Sequence, residues 1–299
     1  MANPTKDWQI DFAGLLLGPD TPYAVSDVTG LGAPELRTQD VDSPVDDGAY
    51  PGVDFYGRRT VRIEAAIRTP GDPAAAADAL ARLHEAAATT SVRKAAGALA
   101  VLRLKWPGRD VRRLYGRVRR ADAISTAKTI FGWIPLELEF AATDPRFHDD
   151  VQQSLIMPLD ISQNVPGFKA PLVAPISTGV ANPAARPGWV TNSGDLPAHP
   201  TIRITGPVTN PRLWIVETGR ALELSMTLSE GEYVDIDTRP GRRWVLRNGS
   251  GSAQSALSTT SRLDLFQIPT GRSELRWTAT DYTNTCRLTV SWRNAYTAL

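Results

Sequence analysis

The chain has 299 residues, 42% of them hydrophobic, enough for two folded domains of roughly 150 residues each and too apolar for a disordered chain. Its formal charge of +1 excludes an overall field that would gather nucleic acid or an anionic membrane. The single cysteine, Cys286, excludes an intrachain disulfide framework and a cysteine-rich zinc site.

Residues 1–7 are polar and lack the apolar core of a signal peptide. No run approaches the roughly 18 apolar residues of a membrane helix, so synthesis in a cytoplasm is expected. Next along the chain, Trp8, Ile10 and Phe12 alternate with polar residues and share one face of a half-buried strand. Residues 23–28 read as a second short strand. Residues 30–54 are rich in Gly, Pro and Asp and read as a long loop, which in a compact domain usually carries function or meets a partner. Residues 59–67 alternate apolar and charged side chains. Asp72 is a good N-cap and Pro73 suits the first helical position. Ala76, Leu80, Leu83 and Ala87 then form one stripe, so an amphipathic helix laid on a sheet is predicted. Strands are predicted over 99–106, 111–118 and 129–140, with a turn at Pro107-Gly108-Arg109-Asp110.

Asp144-Pro145-Arg146-Phe147 stops the last of these strands. Pro145 has no N–H for a ladder, and its ring pushes Asp144 away from helix. Arg146 can turn back onto Asp144, and Phe147 can plug a core at the seam. A proline-rich stretch from 160 to 198 reads as a connector with short strands. Beyond it, residues 201–205, 212–216, 221–226, 233–237, 243–247, 262–266, 273–278 and 286–292 read as short strands. Glu230-Gly231, Pro240-Gly241 and Asn248-Gly249 separate several of them, the pattern of a β-sandwich. Cys286 shares a face with Leu288, Val290 and Trp292, so a buried, inert thiol is expected.

Reactive chemistry is harder to find. His84, His148 and His199 fall in different elements. Gly30-Leu31-Gly32 does not continue into a dinucleotide fingerprint, because Glu35 stands where the third glycine belongs. Asp40-x-Asp42 begins like a calcium loop, but Pro44 and Val45 occupy positions that need a ligand and a glycine. No catalytic set, cofactor or metal site is expected. Two charged stretches remain. Asp40, Asp42, Asp46 and Asp47 crowd the long loop. Arg103, Lys105, Arg109, Arg112, Arg113, Arg117, Arg119 and Arg120 crowd one hairpin. They read as solvated faces or as matching surfaces. Nucleic-acid binding is the weaker reading, since only Tyr115 interleaves an aromatic with the basic residues.

The order of these pieces resembles the distal tail proteins of long-tailed bacteriophages, the siphovirus-type tail component family. Trp8-x-Ile10-Asp11-Phe12-x-Gly14, Tyr23-x-Val25, Gly30-Leu31-Gly32 and Gly57-Arg58-Arg59 carry the likeness in the first half, with the single helix and the Asp144-Pro145-Arg146-Phe147 junction. Pro200-Thr201-Ile202-Arg203-Ile204-x-Gly206, Gly231-Glu232-Tyr233-Val234-x-Ile236-Asp237 and Ile268-Pro269-x-Gly271-x-Ser273-x-Leu275 carry it in the second. The resemblance implies a mainly β fold. Residues 1–148 would form a ring-forming β belt, a split barrel with one α-helix. Residues 149–193 would hold the connector and the first strands of the second domain. Residues 194–299 would form a galectin-like β-sandwich.

The resemblance also implies a structural, non-enzymatic role at the tail tip of the virion. A hexameric ring would join the tail tube protein on one face to a tip or baseplate hub protein on the other. DNA would pass only in transit through its lumen. The alternative is a carbohydrate-binding adaptor that contacts the host envelope. His199-x-Thr201-x-Arg203 is similar to a galectin His-x-Asn-x-Arg strand with the Asn missing, and an exposed Trp189 or Trp244 would favour that alternative. A cyclic interface is heterologous. The acidic set Asp40, Asp42, Asp46 and Asp47 of one subunit is therefore expected near Arg109, Arg112, Arg113 and Arg117 of the next.

Overall fold

The computed structural model describes residues 3–159, 188–283 and 285–299. The chain divides into two units, Met1–Val151 with Ala295–Leu299, and Gln152–Asn294. Most of the proline-rich connector, residues 160–187, lies outside the described residues.

The first unit is a sheet with one long helix. Strands β1 (Ile10–Phe12) and β2 (Leu15–Leu17) turn over Ala13 and Gly14, both at positive φ. Ile10 and Phe12 are buried, but Trp8 sits at positive φ, largely exposed, and tilts against Trp106 at 4.6 Å. The shared face expected of Trp8, Ile10 and Phe12 is thus broken at Trp8 by its backbone. β3 (Tyr23–Thr29) leads into residues 30–58. These are not an irregular loop but an arm. Its ladders join β4 (Leu36–Arg37) to β7 (Phe55–Tyr56), and β5 (Val41–Asp42) to β6 (Ala49–Tyr50). Two-residue ladders are too short to leave an alternation in the sequence.

The remaining elements are β8 (Arg59–Arg68), α1 (Pro73–Ala87), the four-residue α2 (Thr90–Arg93), β9 (Ala100–Leu104), β10 (Arg112–Ala123), β11 (Trp133–Ala142) and β12 (Phe147–Asp149). The ladder runs β2-β1-β9-β10-β11-β8-β3. It stays open as a split barrel; a backbone bond from Gly18 N to the Tyr23 carbonyl, 2.8 Å, spans the gap. The Asp72 carboxylate caps α1 by accepting from Ala75 N at 2.9 Å, and Ala76, Ala79 and Leu83 face the sheet. The strand expected from residue 129 begins only at Trp133, because residues 129–131 form a 3-10 turn closed by Gly132.

β8 shows period two most clearly: Val61, Ile63, Ala65 and Ile67 are buried while Arg62 and Glu64 face water. The same parity points Arg59 inward, where it is 2% exposed. Its guanidinium donates to the carbonyls of Pro145 (2.8 Å), Gly30 (3.1 Å) and Thr297 (3.1 Å), and also to that of Gly32. It lies 4.4 Å from the Phe147 ring centroid, and Phe147 is fully buried. Burial lowers the Arg59 pKa, so the site holds a cation at a cost offset by carbonyl dipoles. Gly30 needs its φ of +83°, and a Cβ there would run into the Thr60 carbonyl oxygen.

The second unit is a β-sandwich. One sheet orders β13 (Gln153–Pro158), β25 (Arg287–Trp292), β15 (Thr201–Thr205), β20 (Tyr233–Asp237), β21 (Trp244–Arg247) and β22 (Gly251–Ser252). The other orders β14 (Trp189–Asn192), β23 (Gly271–Thr278), β17 (Arg212–Ile215) and β18 (Ala221–Glu223). Three short strands, β16 (Val208–Thr209), β19 (Thr227–Leu228) and β24 (Asp281–Tyr282), pair at one end. Ile202, Ile204, Val234, Ile236, Leu288 and Val290 share one buried core with Val190, Leu213, Ile215, Leu275 and Trp277. Cys286 is buried with Leu288, Val290 and Trp292, and burial pushes its thiol pKa up. Residues 262–266 are a turn, not the strand expected there: Arg262 bonds Asp264, and Leu265 N donates to the Arg262 carbonyl.

The division into units departs from the one read in the sequence at the C-terminus, where residues 295–299 leave the second unit. β13 runs beside β25 along its whole length, so residues 153–158 belong to the second unit. After β25 the chain rejoins the first unit, where β26 (Ala295–Tyr296) pairs with Phe147 and His148 of β12. Antiparallel partners more than a hundred residues apart leave no local pattern to read.

Two outcomes follow. A fragment of residues 152–294 is expected to unfold in one cooperative thermal transition followed by circular dichroism. A fragment of residues 194–299 is expected to melt without cooperativity, having lost an edge strand of each sheet and the buried Met157 and Val190. Arg59→Met should destabilise the whole chain by about 3 kcal/mol in urea unfolding, and Arg59→Lys by most of that, because an ammonium cannot reach four carbonyls in a fixed fork.

Candidate functional site

The features that point outward are charge and exposed apolar surface, and both concentrate in the first unit. The arm carries Glu35, Asp40, Asp42, Asp46, Asp47 and Asp54 against two basic residues, Arg37 and Arg58. The Asp40 carboxylate accepts from Gly52 N at 2.9 Å, which holds the two sides of the arm together. Asp46 N donates to the Ser43 hydroxyl at 3.1 Å and shapes the tip. Val41, Val45, Tyr50, Val53 and Phe55 are exposed, with Val45 at 83%. A two-stranded arm of this kind buries too little to stabilise itself in water, and so much apolar surface marks a contact. The structure therefore brings the expected acidic residues together on one projecting element.

The arginines divide differently. Arg112 and Arg113 are 8% and 9% exposed. Arg112 pairs with Asp149, and its guanidinium lies 3.4 Å from the Tyr296 ring centroid. Arg113 Nε donates to Asp150 Oδ1 at 2.9 Å and its Nη2 to the Asp150 carbonyl at 3.1 Å. Arg103 Nε reaches the same Asp150 oxygen at 2.8 Å, and Arg103 also binds Asp11. Burial pushes the Asp11 carboxyl up, against the Gly14 N–H and the Arg103 guanidinium. These arginines seal the junction to the sheet, so Arg112 and Arg113 are withdrawn from the contact expected with a neighbour's acidic loop. Antiparallel pairing of β10 with β12 sets this, since it places Arg112 opposite Asp149.

Arg117 is half-buried, and its guanidinium donates to the carbonyls of Ala95 and Ala98 at 2.7 and 3.1 Å. Arg109 is exposed in the β9–β10 turn. Beside these, a cleft of about 280 Å³ opens between the end of α1, α2 and strands β9 and β10. Ala87, Val92, Leu99 and Val118 line its apolar wall, and the exposed Arg93 and Arg119 line it too. Arg93 was outside the basic set read from the sequence. It lies in the short α2, far from the hairpin in sequence.

The junction itself forms a third cluster. Arg146 turns back onto Asp144 as expected, with Nε to Oδ1 at 2.9 Å and Nη2 to Oδ2 at 3.1 Å. His148 Nε2 lies 3.3 Å from Asp144 Oδ2, and its ring tilts against Tyr115 at 5.6 Å. Burial alone would raise the Asp144 pKa. His148 and Arg146 outweigh it and hold the carboxyl far below the usual carboxylate range.

On the second unit the residues weighed for sugar contact are mostly engaged. His199 is buried. Arg203 forms a two-bond pair with Asp235, at 2.7 and 2.9 Å, and lies 4.2 Å from the Tyr233 centroid. Trp189 lies under the Arg272 guanidinium at 4.1 Å, and Trp244 is half-buried beside Arg203 in a shallow groove. Among the described residues no three His, Cys, Asp or Glu side chains could hold a metal ion, and no helix is long and apolar enough to cross a membrane.

Comparison with known proteins agrees with the family resemblance. Residues 193–296 match the family model described as siphovirus-type tail component, C-terminal domain. No curated protein sequence matches the chain. Among solved structures, the fold is similar to that of the Dit protein of phage SPP1, described as a paradigm of the hub adsorption apparatus in phages that infect Gram-positive hosts. The identity is 15% and the TM-score 0.58, over 97% of this chain and 99% of that one. It is also similar to a chain of the phage P2 baseplate in its activated conformation with calcium, at 9% identity and a TM-score of 0.54, over 95% and 97% of the two chains. At such identities the likeness shows a shared fold.

The junction makes a pH prediction. Asp144 has a depressed pKa in the folded state, so its contribution to stability is present above the unfolded value near 4 and is lost as pH falls through the folded value. Acid unfolding of the native chain should therefore steepen below about pH 4. Asp144→Asn should remove that part of the slope and lower stability at neutral pH by about 3 kcal/mol, measured by urea titrations across the pH range.

Proposed function

With a siphovirus-type tail component domain in residues 193–296, we propose that this protein is a structural distal tail component of a long-tailed phage, resident at the tail tip of the virion. The family match carries the reading. The likeness of nearly the whole chain to the fold of SPP1 Dit and of the P2 baseplate chain supports it. In this reading the first unit closes into a hexameric ring whose lumen passes the genome. The tail tube protein binds one face, and a tip or baseplate hub protein binds the other. DNA is met only in transit.

The chemistry of the first unit suits such a role. The ion pairs around the junction are largely buried, where they stiffen a subunit. Many of its exposed apolar residues, Val41, Val45, Tyr50, Val53 and Phe55 among them, lie on the arm, where they can meet another chain; Ile124, Ile130 and Phe131 between β10 and β11 are exposed as well. Such a role calls for complementary surfaces and no reactive group, and none of the clusters described above arranges a nucleophile with a base.

Purified protein examined by mass photometry and negative-stain electron microscopy over a concentration series is expected to show six-copy rings with an open centre. A strict monomer at the highest concentrations would overturn the reading.

A further inference from the structure

We propose that the arm tip of one copy of this chain docks into the cleft between α1, α2 and β10 of a second copy, which rests on the ring reading above. The arm tip and the cleft carry complementary groups. At the tip, Val45 is exposed between Pro44 and the carboxylates of Asp46 and Asp47. The cleft has the inverse arrangement: an apolar wall with the guanidiniums of Arg93 and Arg119.

Neither set is neutralised at home. Among the described residues, no cation pairs with Asp46 or Asp47, and no carboxylate pairs with Arg93 or Arg119. The one acid that lines the cleft, Asp11, is bound to Arg103. Arg112 and Arg113 are taken by Asp149 and Asp150 and Arg117 by two carbonyls, while the exposed Arg109 in the β9–β10 turn does not line the cleft. The pairing first suggested by the sequence thus moves to a different pair of arginines. Only Arg119 was in the basic set read from the sequence.

A protein occupant fits better than a nucleic acid. The cleft presents no aromatic ring for base stacking, and its wall is built of Ala, Val and Leu. A second copy fits better than an arbitrary protein, because every copy carries both halves of the contact. A contact between two different surfaces of identical chains is heterologous and closes into a ring when the rotation allows. In such a contact the apolar tip supplies affinity and the charges supply register and encounter rate. Arginine suits the rim because its guanidinium can take a carboxylate through two hydrogen bonds.

The test uses the full chain and two charge-reversed variants. One carries Asp46→Lys and Asp47→Lys, the other Arg93→Glu and Arg119→Glu. All four positions are exposed, and circular dichroism melts check that both variants keep the native fold. Each variant alone is expected to need more than about tenfold higher concentration to assemble than the native chain, by mass photometry. An equimolar mixture is expected to recover assembly, since every contact then joins opposite charges: native arm with native cleft, and lysine arm with glutamate cleft. Native assembly should also weaken as salt rises from about 0.05 to 0.5 M. If the native chain forms rings and both variants form them equally well, this docking is overturned while the ring reading stands. If both variants fail and the mixture also fails, the arm and the cleft are not partners, and the docking is again overturned. A native chain that stays monomeric overturns the ring and the docking together.

Discussion

One buried guanidinium ties the first unit together. Arg59 has no carboxylate beside it in the described contacts; it is held by the carbonyls of Gly30, Gly32, Pro145 and Thr297 and by the face of Phe147. Those groups come from the root of the arm, the junction after β11 and the returning C-terminal segment. A cation in so little water is stable only while all of its donors are satisfied. The arm root, the seam and the tail are thereby made mutually dependent. Planarity matters here: a flat fork with five donors can address several carbonyls at once, and an ammonium on a flexible stem cannot.

The ion pairs around β12 act on the same seam. Antiparallel pairing sets Asp149 opposite Arg112 and His148 opposite Arg113, Asp150 follows directly after β12, and Arg103 bridges Asp150 to Asp11 at the opposite edge of β9. Asp144, Arg146 and His148 close the turn just before. Charges that look like a basic surface in the sequence are thus largely internal fixings. What they leave outside is an acidic, apolar-tipped arm and a cleft whose Arg93 and Arg119 pair with no carboxylate among the described residues, the two different surfaces that a head-to-tail contact joins. Exposed pairs of this kind contribute only about 0–1 kcal/mol each, so orientation is the effect they can supply.

Much of the fold was legible in the sequence. β15 and β20 fall where their alternation places them, over Thr201–Thr205 and Tyr233–Asp237, because each buries one face only. α1 starts at Pro73 because Asp72 can cap it and proline can occupy the first position. The junction could be read down to the return of Arg146 onto Asp144, an interaction two residues long. The arm could not, since its ladders are two residues each. Residues 262–266 could not either: Leu263 and Phe266 are buried from a turn, and the apolar content alone suggested a strand.

Sequence alone therefore determined the elements whose causes are local: strand parity, the helix cap, the stop at Pro145 and the buried face around Cys286. It even contained the inward direction of Arg59, in the parity of β8. Tertiary structure decided which charges face one another. The partners of Arg103, Arg112 and Arg113 lie tens of residues or more away along the chain, and no period or spacing reports them. Coulomb energy depends on distance in space and on the surrounding dielectric, and both are set only when the strands pair and exclude water. For the same reason the division into units followed β13 and β26 to partners in distant strands, where backbone hydrogen bonds, and not local composition, draw the boundary.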